Sequence, residues 1–430
     1  MTKDIKAYLH SQFGIDKRVI DFCEEILEQE ELFKGIDDLA FQNQMKVLQA
    51  MSCSKLSSGH FAETVGYGYD DIGRQATERI FARTFSAEDA LARPQIISGT
   101  HALTVALFGN LRPGDELLAP FGAPYETLLG VIGIRRQRGS LYEHGVAYRQ
   151  VMPLESGGPD FEGIRAAVTE RTKLAAIQRS RGYSRRRSLT VTEIGHVIAA
   201  IKEIRKDIIC MVDNCYGEFT ETIEPSDVGA DLTVGSLIKN PGGGLAPVGG
   251  YIAGRAEYVE NAAYRLTAPG LGKEAGPTLG TTRPVLQGLF LAPQAVSAAL
   301  KGAVFASAVF DRLGFAVSPG PADHRPDIVQ AIDLNSPEVL AEFCAGIQSA
   351  SPVDGYVLPE PAPMPGYGCE VIMAAGGFVQ GSSIELSADA PMRPPYTVYL
   401  QGGLTWHHAR FGVMNALDRL FKKGYVSIQR

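Results

Sequence analysis

Apolar positions recur at helical spacing over residues 17–33 and 37–51, and nothing before about residue 60 alternates as a strand does. The pattern predicts a helical arm or cap over residues 1–60. From about 90 to 255 it changes. Short apolar runs at 95–98, 116–119, 173–178, 208–213, 231–238 and 250–254 read as strands. Helical stretches at 100–110, 125–134 and 192–205 lie between them. Such alternation predicts an α/β fold with a mostly parallel sheet covered by helices, in a large domain over 61–290. Ligands of such sheets sit beyond the carboxyl ends of the strands. After about 300 the order is mixed. Helices are expected at 303–313, 338–350 and 410–422, and strands at 315–318, 370–374 and 382–386, forming a smaller α+β domain over 291–430. The Gly-, Thr- and Pro-rich stretch 267–284 reads as a loop.

Composition narrows the class. The chain has 430 residues, 45% hydrophobic and 21% charged, as in ordinary globular enzymes. A formal net charge of −7 argues against a nucleic-acid partner. No apolar run is read as long enough to cross a bilayer, and the N-terminus lacks a signal-peptide core, so no membrane partner is expected. The six cysteines form no CxxC pair and no zinc spacing, and His407-His408 has no partners at ligand spacing. A reduced, cytoplasmic protein with no metal is expected.

Four sequence features converge on one kind of ligand. Ser98-Gly99-Thr100-His101 lies where a strand turns into a helix, and helix-start N–H groups with two hydroxyls make an anion site. Tyr125 opens the next helix, where an aromatic ring can stack on a planar ligand. Asp213 ends the apolar run Met211-Val212-Asp213, and a carboxylate enclosed there needs a cationic partner. Lys239, in Ser236-Leu237-Ile238-Lys239-Asn240-Pro241-Gly242-Gly243-Gly244, follows a strand at the lip of a glycine-rich turn. A part-buried lysine is expected to ionise less readily, and its amine then forms a Schiff base with an aldehyde. Each feature alone has an ordinary reading, as a helix cap, a rim tyrosine, a paired aspartate or a solvated lysine. Together they match the phosphate, ring face, ring nitrogen and aldehyde of pyridoxal 5'-phosphate. No GxGxxG turn or P-loop competes with them. The arginine run Arg179, Arg181, Arg185, Arg186 and Arg187 reads as an active-site loop with a solvated edge.

Longer motifs carry a resemblance. Gly66-Tyr67-Gly68-Tyr69-Asp70-Asp71-Ile72-Gly73-Arg74, Ser98-Gly99-Thr100-His101-Ala102-Leu103, Val212-Asp213-Asn214-Cys215-Tyr216-Gly217-Glu218-Phe219, the lysine motif and Tyr183 resemble the fold-type I pyridoxal-phosphate carbon–sulfur lyases called aluminium resistance protein or methionine γ-lyase-like. A more distant similarity is to the cystathionine lyases. The resemblance implies that Lys239 is the Schiff-base lysine and proton shuttle, and that Ser236 reaches the phosphate. It implies that Tyr67, with Tyr69 as the alternative, and Arg74 reach the phosphate of a neighbouring subunit in a homodimer or homotetramer. Arg393 is the candidate for the substrate carboxylate, with Arg181 its rival, because a guanidinium fork suits a carboxylate. The implied activity is elimination of a thiol from a sulfur amino acid, at the β or γ carbon, giving a keto acid and ammonia. Other readings are an aminotransferase on the same scaffold and a non-catalytic protein that kept the fold.

Overall fold

The structure, a computed structural model, describes residues 1–28, 31–184, 186–364 and 367–428. Its helices are α1 (Lys3–Phe13), α2 (Lys17–Leu27), α3 (Ile36–Cys53), α4 (Ile72–Thr84), α5 (Gly99–Asn110), α6 (Glu126–Ile132), α7 (Phe161–Ala167), α8 (Val191–Ile204), α9 (Ala256–Leu266), α10 (Thr282–Arg312), α11 (Pro337–Ser349) and α12 (Trp406–Lys422). Its strands are β1 (Asp89–Arg93), β2 (Glu116–Ala119), β3 (Ala147–Gln150), β4 (Thr172–Gln178), β5 (Ile209–Asp213), β6 (Leu232–Ser236), β7 (Gly250–Gly254), β8 (Ala316–Ser318), β9 (Gln330–Asp333), β10 (Val371–Ala375), β11 (Ser387–Pro391) and β12 (Thr397–Gln401). Two compact units result. One is Phe41–Pro293, and the other joins Met1–Ala40 to Gln294–Arg430.

The larger unit is built on a seven-stranded sheet in the order β1-β7-β6-β5-β4-β2-β3. Strands β6, β5, β4, β2 and β3 are parallel, while β7 runs antiparallel between β6 and β1. The central strands are apolar on both faces because helices cover both, as a parallel sheet requires. Leu91, Leu117, Leu174, Ile209 and Val234 pack with Leu103 and Leu107 of α5 and Val259 of α9. Ile177, Cys210 and Val212 pack with Ile164 of α7 and with Ile194 and Ile198 of α8. The second unit holds a five-stranded sheet, β10-β11-β12-β9-β8, antiparallel throughout. Its core includes Val19, Ile20 and Ile26 of α2, packed with Phe305, Val309, Phe343 and Leu417.

Several expectations need correction. Residues 1–60 are not a separate arm: the apolar face of α2 completes the core of the second unit, while α3 from Phe41 onward belongs to the large one. The strand expected at 95–98 is a loop, and the true strand is β1. Pro94 lacks the N–H that would extend the ladder, and Ile97 is exposed. The strand expected at 382–386 lies at Ser387–Pro391 instead. That segment, Ser-Ala-Asp-Ala-Pro, has no β-branched residue, and pairing with β10 and β12 overrides its weak propensity. Helix α10 starts at Thr282 and runs 31 residues with one internal proline, Pro293. By length and composition it is apolar enough to cross a membrane, contrary to the expectation from the sequence, with a window of mean hydropathy 1.4. However, 78% of that window is buried inside the protein, as in a core helix. Elements α1, α4, α7, α9, β3, β9 and β12 were not anticipated.

The first half of α10 packs on the turn that follows Lys239. A Cβ on Gly288 would lie 2.1 Å from the Gly242 carbonyl oxygen, and one on Gly243 would lie 2.3 Å from that of Gly288. Gly243 also has φ 52°, a conformation that side chains disfavour. Gly288→Ala should therefore destabilise the protein by roughly 1–3 kcal/mol through overpacking. The measurement is a lowered urea midpoint with unchanged slope.

Candidate active site

The parallel strands bring their carboxyl ends to one edge. Gln178, the last residue of β4, is in register with Asp213, the last of β5. Asp213 pairs in turn with Val234 of β6, two residues before that strand ends at Ser236. Ser236 and Arg93, the final residue of β1, both face Gly250 across β7, so β1 ends at the same edge. A Cβ on Gly250 would fall 3.1 Å from the Ser98 carbonyl oxygen. Its absence lets the loop from β1 into α5 cross the strand.

That loop forms the anion turn. Ser98 caps α5, its Oγ accepting from the His101 N–H at 3.1 Å. The N–H groups of Gly99 and Thr100 lie in the first turn, where a helix offers no backbone acceptor. The Thr100 and Thr127 hydroxyls are 2.9 Å apart. A Cβ on Gly99 would sit 3.2 Å from Cβ of Ser236 and 3.5 Å from Sγ of Cys215. Thus the turn, the end of β6 and the segment after Asp213 meet at a point with little room for another side chain. Burial depresses the His101 imidazole, whose Nδ1 accepts from the Ile97 N–H at 3.2 Å. With Nδ1 accepting, the neutral ring carries its proton on Nε2.

Asp213 is half-buried. Burial pushes its carboxyl above the ordinary range, while Lys239 and the Cys215 N–H, which donates to Oδ1 at 3.2 Å, pull it back. Lys239 corrects the expectation of a less readily ionised amine. Burial does penalise its charge, but the acidic groups of Cys215, Tyr216 and Asp213 outweigh that, and the amine is held above the usual lysine value. Its Nζ lies 4.0 Å from the centroid of the Tyr216 ring. Tyr216 has φ 69°, a left-handed conformation that is costly for a residue with a Cβ. Asn240 braces it: Nδ2 donates to the carbonyls of Tyr216 and Glu218, each at 3.0 Å.

On the other flank, Tyr125 stands at the N-cap of α6. A Cβ on Gly182 would meet the Tyr125 ring at 3.0 Å and Nε2 of Gln178 at 3.4 Å. Tyr125 and Tyr183 pack edge to face at 6.1 Å. Arg179 is fully buried, donating to Asn214 Oδ1 at 2.8 Å and Thr220 Oγ1 at 3.1 Å and pairing with Glu221 at 3.3 Å. Arg181 is also buried, its Nε donating to the Arg186 carbonyl at 3.1 Å. Arg186 Nη2 donates to the Gln178 carbonyl at 3.0 Å, and its charge favours the ionised form of Asp213. Arg187 is exposed and pairs with Glu193, whereas Arg185 lies outside the described residues. Of the described arginines, Arg179 and Arg181 are interior, Arg186 is half-buried and Arg187 is solvated.

The remaining sequence candidates are Tyr67, Tyr69, Arg74 and Arg393. Tyr67 and Tyr69 are exposed, with their rings stacked at 5.4 Å. Arg74 is buried and donates to main-chain carbonyls of its own chain, those of Gly68, Gly276 at 2.7 Å and Glu274 at 3.0 Å. Arg393 is exposed in the turn between β11 and β12, in the second unit. Gln178, Tyr216 and Glu218 were not picked out as functional, although Tyr216 and Glu218 lie in the quoted Asp213 motif and Gln178 ends the apolar run at 173–178. Among the described residues no cluster of three or more His, Cys, Asp or Glu is arranged to hold a metal.

The residues fit a phosphorylated, cationic, planar aldehyde. The carboxyl of Asp213 is raised by burial and so has a place for a cationic partner. Gln178 Oε1 and Ser180 Oγ are buried beside it without partners. An anion turn and a lysine complete the set.

Sheet order and this edge define the class: a fold-type I scaffold of the pyridoxal-phosphate enzymes. A pyridoxal-5'-phosphate-dependent protein, YhfS from Escherichia coli, shares that fold, with TM-score 0.59, 17% identity and coverage of 87% of this chain and 94% of that one. Much nearer is the crystal structure of a carbon–sulfur lyase involved in aluminium resistance from Clostridium novyi NT. It has TM-score 0.94 and 49% identity, covering 98% of this chain and all of the other (100%). The uncharacterized protein YnbB of Bacillus subtilis (strain 168) is 49% identical over 397 residues, 92% of this chain and 94% of that protein. The sequence profile of the methionine gamma-lyase family matches residues 19–421, and the chain belongs to that family. It is an enzyme of the pyridoxal-phosphate-dependent lyase class.

Arg179 tests the support behind the site. Arg179→Leu removes the guanidinium 3.8 Å from Glu224 Oε2 and the donor to Asn214 Oδ1, both sealed from solvent, although Glu224 keeps Asn214 Nδ2, the Phe219 N–H and Lys46. A loss of about 3–5 kcal/mol is expected for breaking a buried pair, measured by chemical denaturation.

Proposed function

We propose that the protein is a cytoplasmic carbon–sulfur lyase that eliminates a thiol from a sulfur-containing amino acid, giving a keto acid and ammonia. The observation that carries this reading is the juxtaposition of Asp213, raised by burial against the pull of Lys239 and Arg186, with that lysine, which follows the neighbouring strand. Bound pyridoxal phosphate supplies an electron-accepting ring that makes the substrate Cα–H acidic. Lys239 Nζ is the attachment point and, once released, the base that removes the Cα proton. Asp213 holds the proton on the ring nitrogen. Tyr125 covers one ring face and limits water access. Ser98, the N–H groups of Gly99 and Thr100, and Ser236 hold the phosphate. Gln178, in register with Asp213, offers its unpartnered oxygen to the same edge.

The substrate is an amino acid, and its carboxylate is assigned to Arg393 or Arg181. Working units are homodimers or homotetramers. Exposed Tyr67 and Tyr69, flanked by exposed Val65 and Ile72, offer an aromatic surface to a second copy. On this reading Tyr67 or Tyr69 reaches the neighbouring phosphate, and Arg74 belongs to the same segment, which it braces through the Gly68 carbonyl. The six thiols, all unpaired, suit a reducing compartment.

Purified protein loaded with pyridoxal phosphate should be yellow, and borohydride reduction with peptide mass analysis should find the cofactor on Lys239. Modification elsewhere, or none, would overturn the reading. Thiol and ammonia should form from sulfur amino acids without an added keto acid. Dependence on such an acceptor would indicate a transaminase instead. Asp213→Asn should keep the lysine adduct but slow turnover by about 10²–10³-fold, the size of a lost electrostatic contact to developing charge, measured as steady-state thiol release.

A further inference from the structure

The segment after Asp213 carries a second acid, Glu218, which the proposed reaction does not use. Its side chain is sealed from solvent. Oε1 accepts from the Tyr251 hydroxyl at 2.9 Å, and Oε2 is buried without a partner. Strand β6 is thinned to admit this pair. A Cβ on Gly235 would stand 2.6 Å from Glu218 Oε1 and 2.5 Å from the Tyr251 ring. Gly235 adjoins Ser236 in the strand that delivers Lys239. Asn240, next to that lysine, grips the Glu218 carbonyl at 3.0 Å. An orphaned carboxyl oxygen is thus held against the strand that delivers the lysine, in a segment that the residue next to the lysine grips.

The ionisable groups facing Glu218 come from four directions. Tyr251 lies on β7, Glu224 precedes the short turn at Pro225–Val228, Lys239 follows β6 and Cys215 shares the Glu218 segment. Arg179, from the end of β4, packs on Gly217 and pairs with Glu221 and Glu224. Burial first, and then Glu224, push the carboxyl up to about 8, against the pull of Tyr251 and Lys239. Coupling is reciprocal, so the charge that Lys239 uses to favour ionised Glu218 is matched by the hold of ionised Glu218 on the lysine proton.

We propose that Glu218 is a positioning residue that sets how tightly Lys239 keeps its proton, and hence how readily the amine attacks an aldehyde. The proposal rests on Lys239 being the attachment lysine. The sign follows from the two ionisations. At low pH Glu218 is neutral and leaves the amine alone. Once it ionises, its negative charge holds the ammonium form and opposes release of the proton.

The test uses the full-length, cofactor-free protein mixed with pyridoxal phosphate over a range of pH. The readouts are the rate of growth of visible absorbance and, after borohydride reduction, the mass of the labelled peptide. Glu218→Gln keeps the size and the acceptor for Tyr251 but cannot ionise. It should react like the parent below about pH 7 and about tenfold faster well above the Glu218 midpoint, the equivalent of one pH unit of coupling. Glu218→Asp, which keeps the charge, should stay near the parent curve. Parent and Gln variant rates in constant ratio across the range would overturn the proposal. Should the Gln variant fail to fold, Tyr251→Phe removes a donor that favours the ionised carboxyl. Its rate should then exceed the parent's around pH 8 only, and an unchanged curve counts against the proposal equally. Labelling of a different lysine in the parent protein would instead remove the attachment role of Lys239, and this proposal with it.

Discussion

One amine and one carboxyl in a water-poor crevice determine most of what surrounds them. Asp213 ends β5 and Lys239 follows β6, its parallel neighbour, by three residues, so the ladder that pairs β5 with β6 brings the two charges to one edge. Either would be costly to bury alone. The oppositely charged partner offsets that cost, and the residues behind them are arranged to hold both in place. Asn240 bonds to the segment after Asp213, Tyr216 accepts a strained backbone to face the ammonium, and Arg179 anchors Asn214.

The parallel half of the sheet was legible because strands buried on both faces read as uninterrupted apolar runs that stop abruptly at chemistry, as at Met211-Val212-Asp213. The antiparallel elements were harder. β11 is made of small residues whose strand character comes from its two neighbours, and β1 was hidden because the more apolar run, 95–98, lies just beyond a proline. The long helix α10 was read only in its second half, since Gly and Pro at 284–293 resemble loop chemistry until the close approach of Gly288 to Gly242 explains the glycine.

Which residues could carry chemistry was also legible in outline, since Ser98, Tyr125, Asp213, Ser236 and Lys239 each end a strand or open a helix. Their electrostatics were not. The proton affinity of Lys239 changes sign relative to expectation because Cys215 and Tyr216, more than twenty positions earlier in the chain, face it in space. Likewise, a buried acid such as Glu218 makes sense only beside Tyr251, 33 residues away. Local pattern locates a strand end, whereas a pKa is a property of everything within a few ångströms.

The backbone-to-backbone contact between Gly242–Gly243 and Gly288 bears on how such an enzyme can change. A turn that touches a helix through carbonyl oxygens has no side chains to exchange, so the floor beneath the lysine offers selection almost nothing to vary. Divergence in the molecules accepted must be written instead into segments that present side chains, such as residues 181–184 and 186–188. A family sharing this contact would keep the turn after Lys239 nearly invariant while its substrate range drifts.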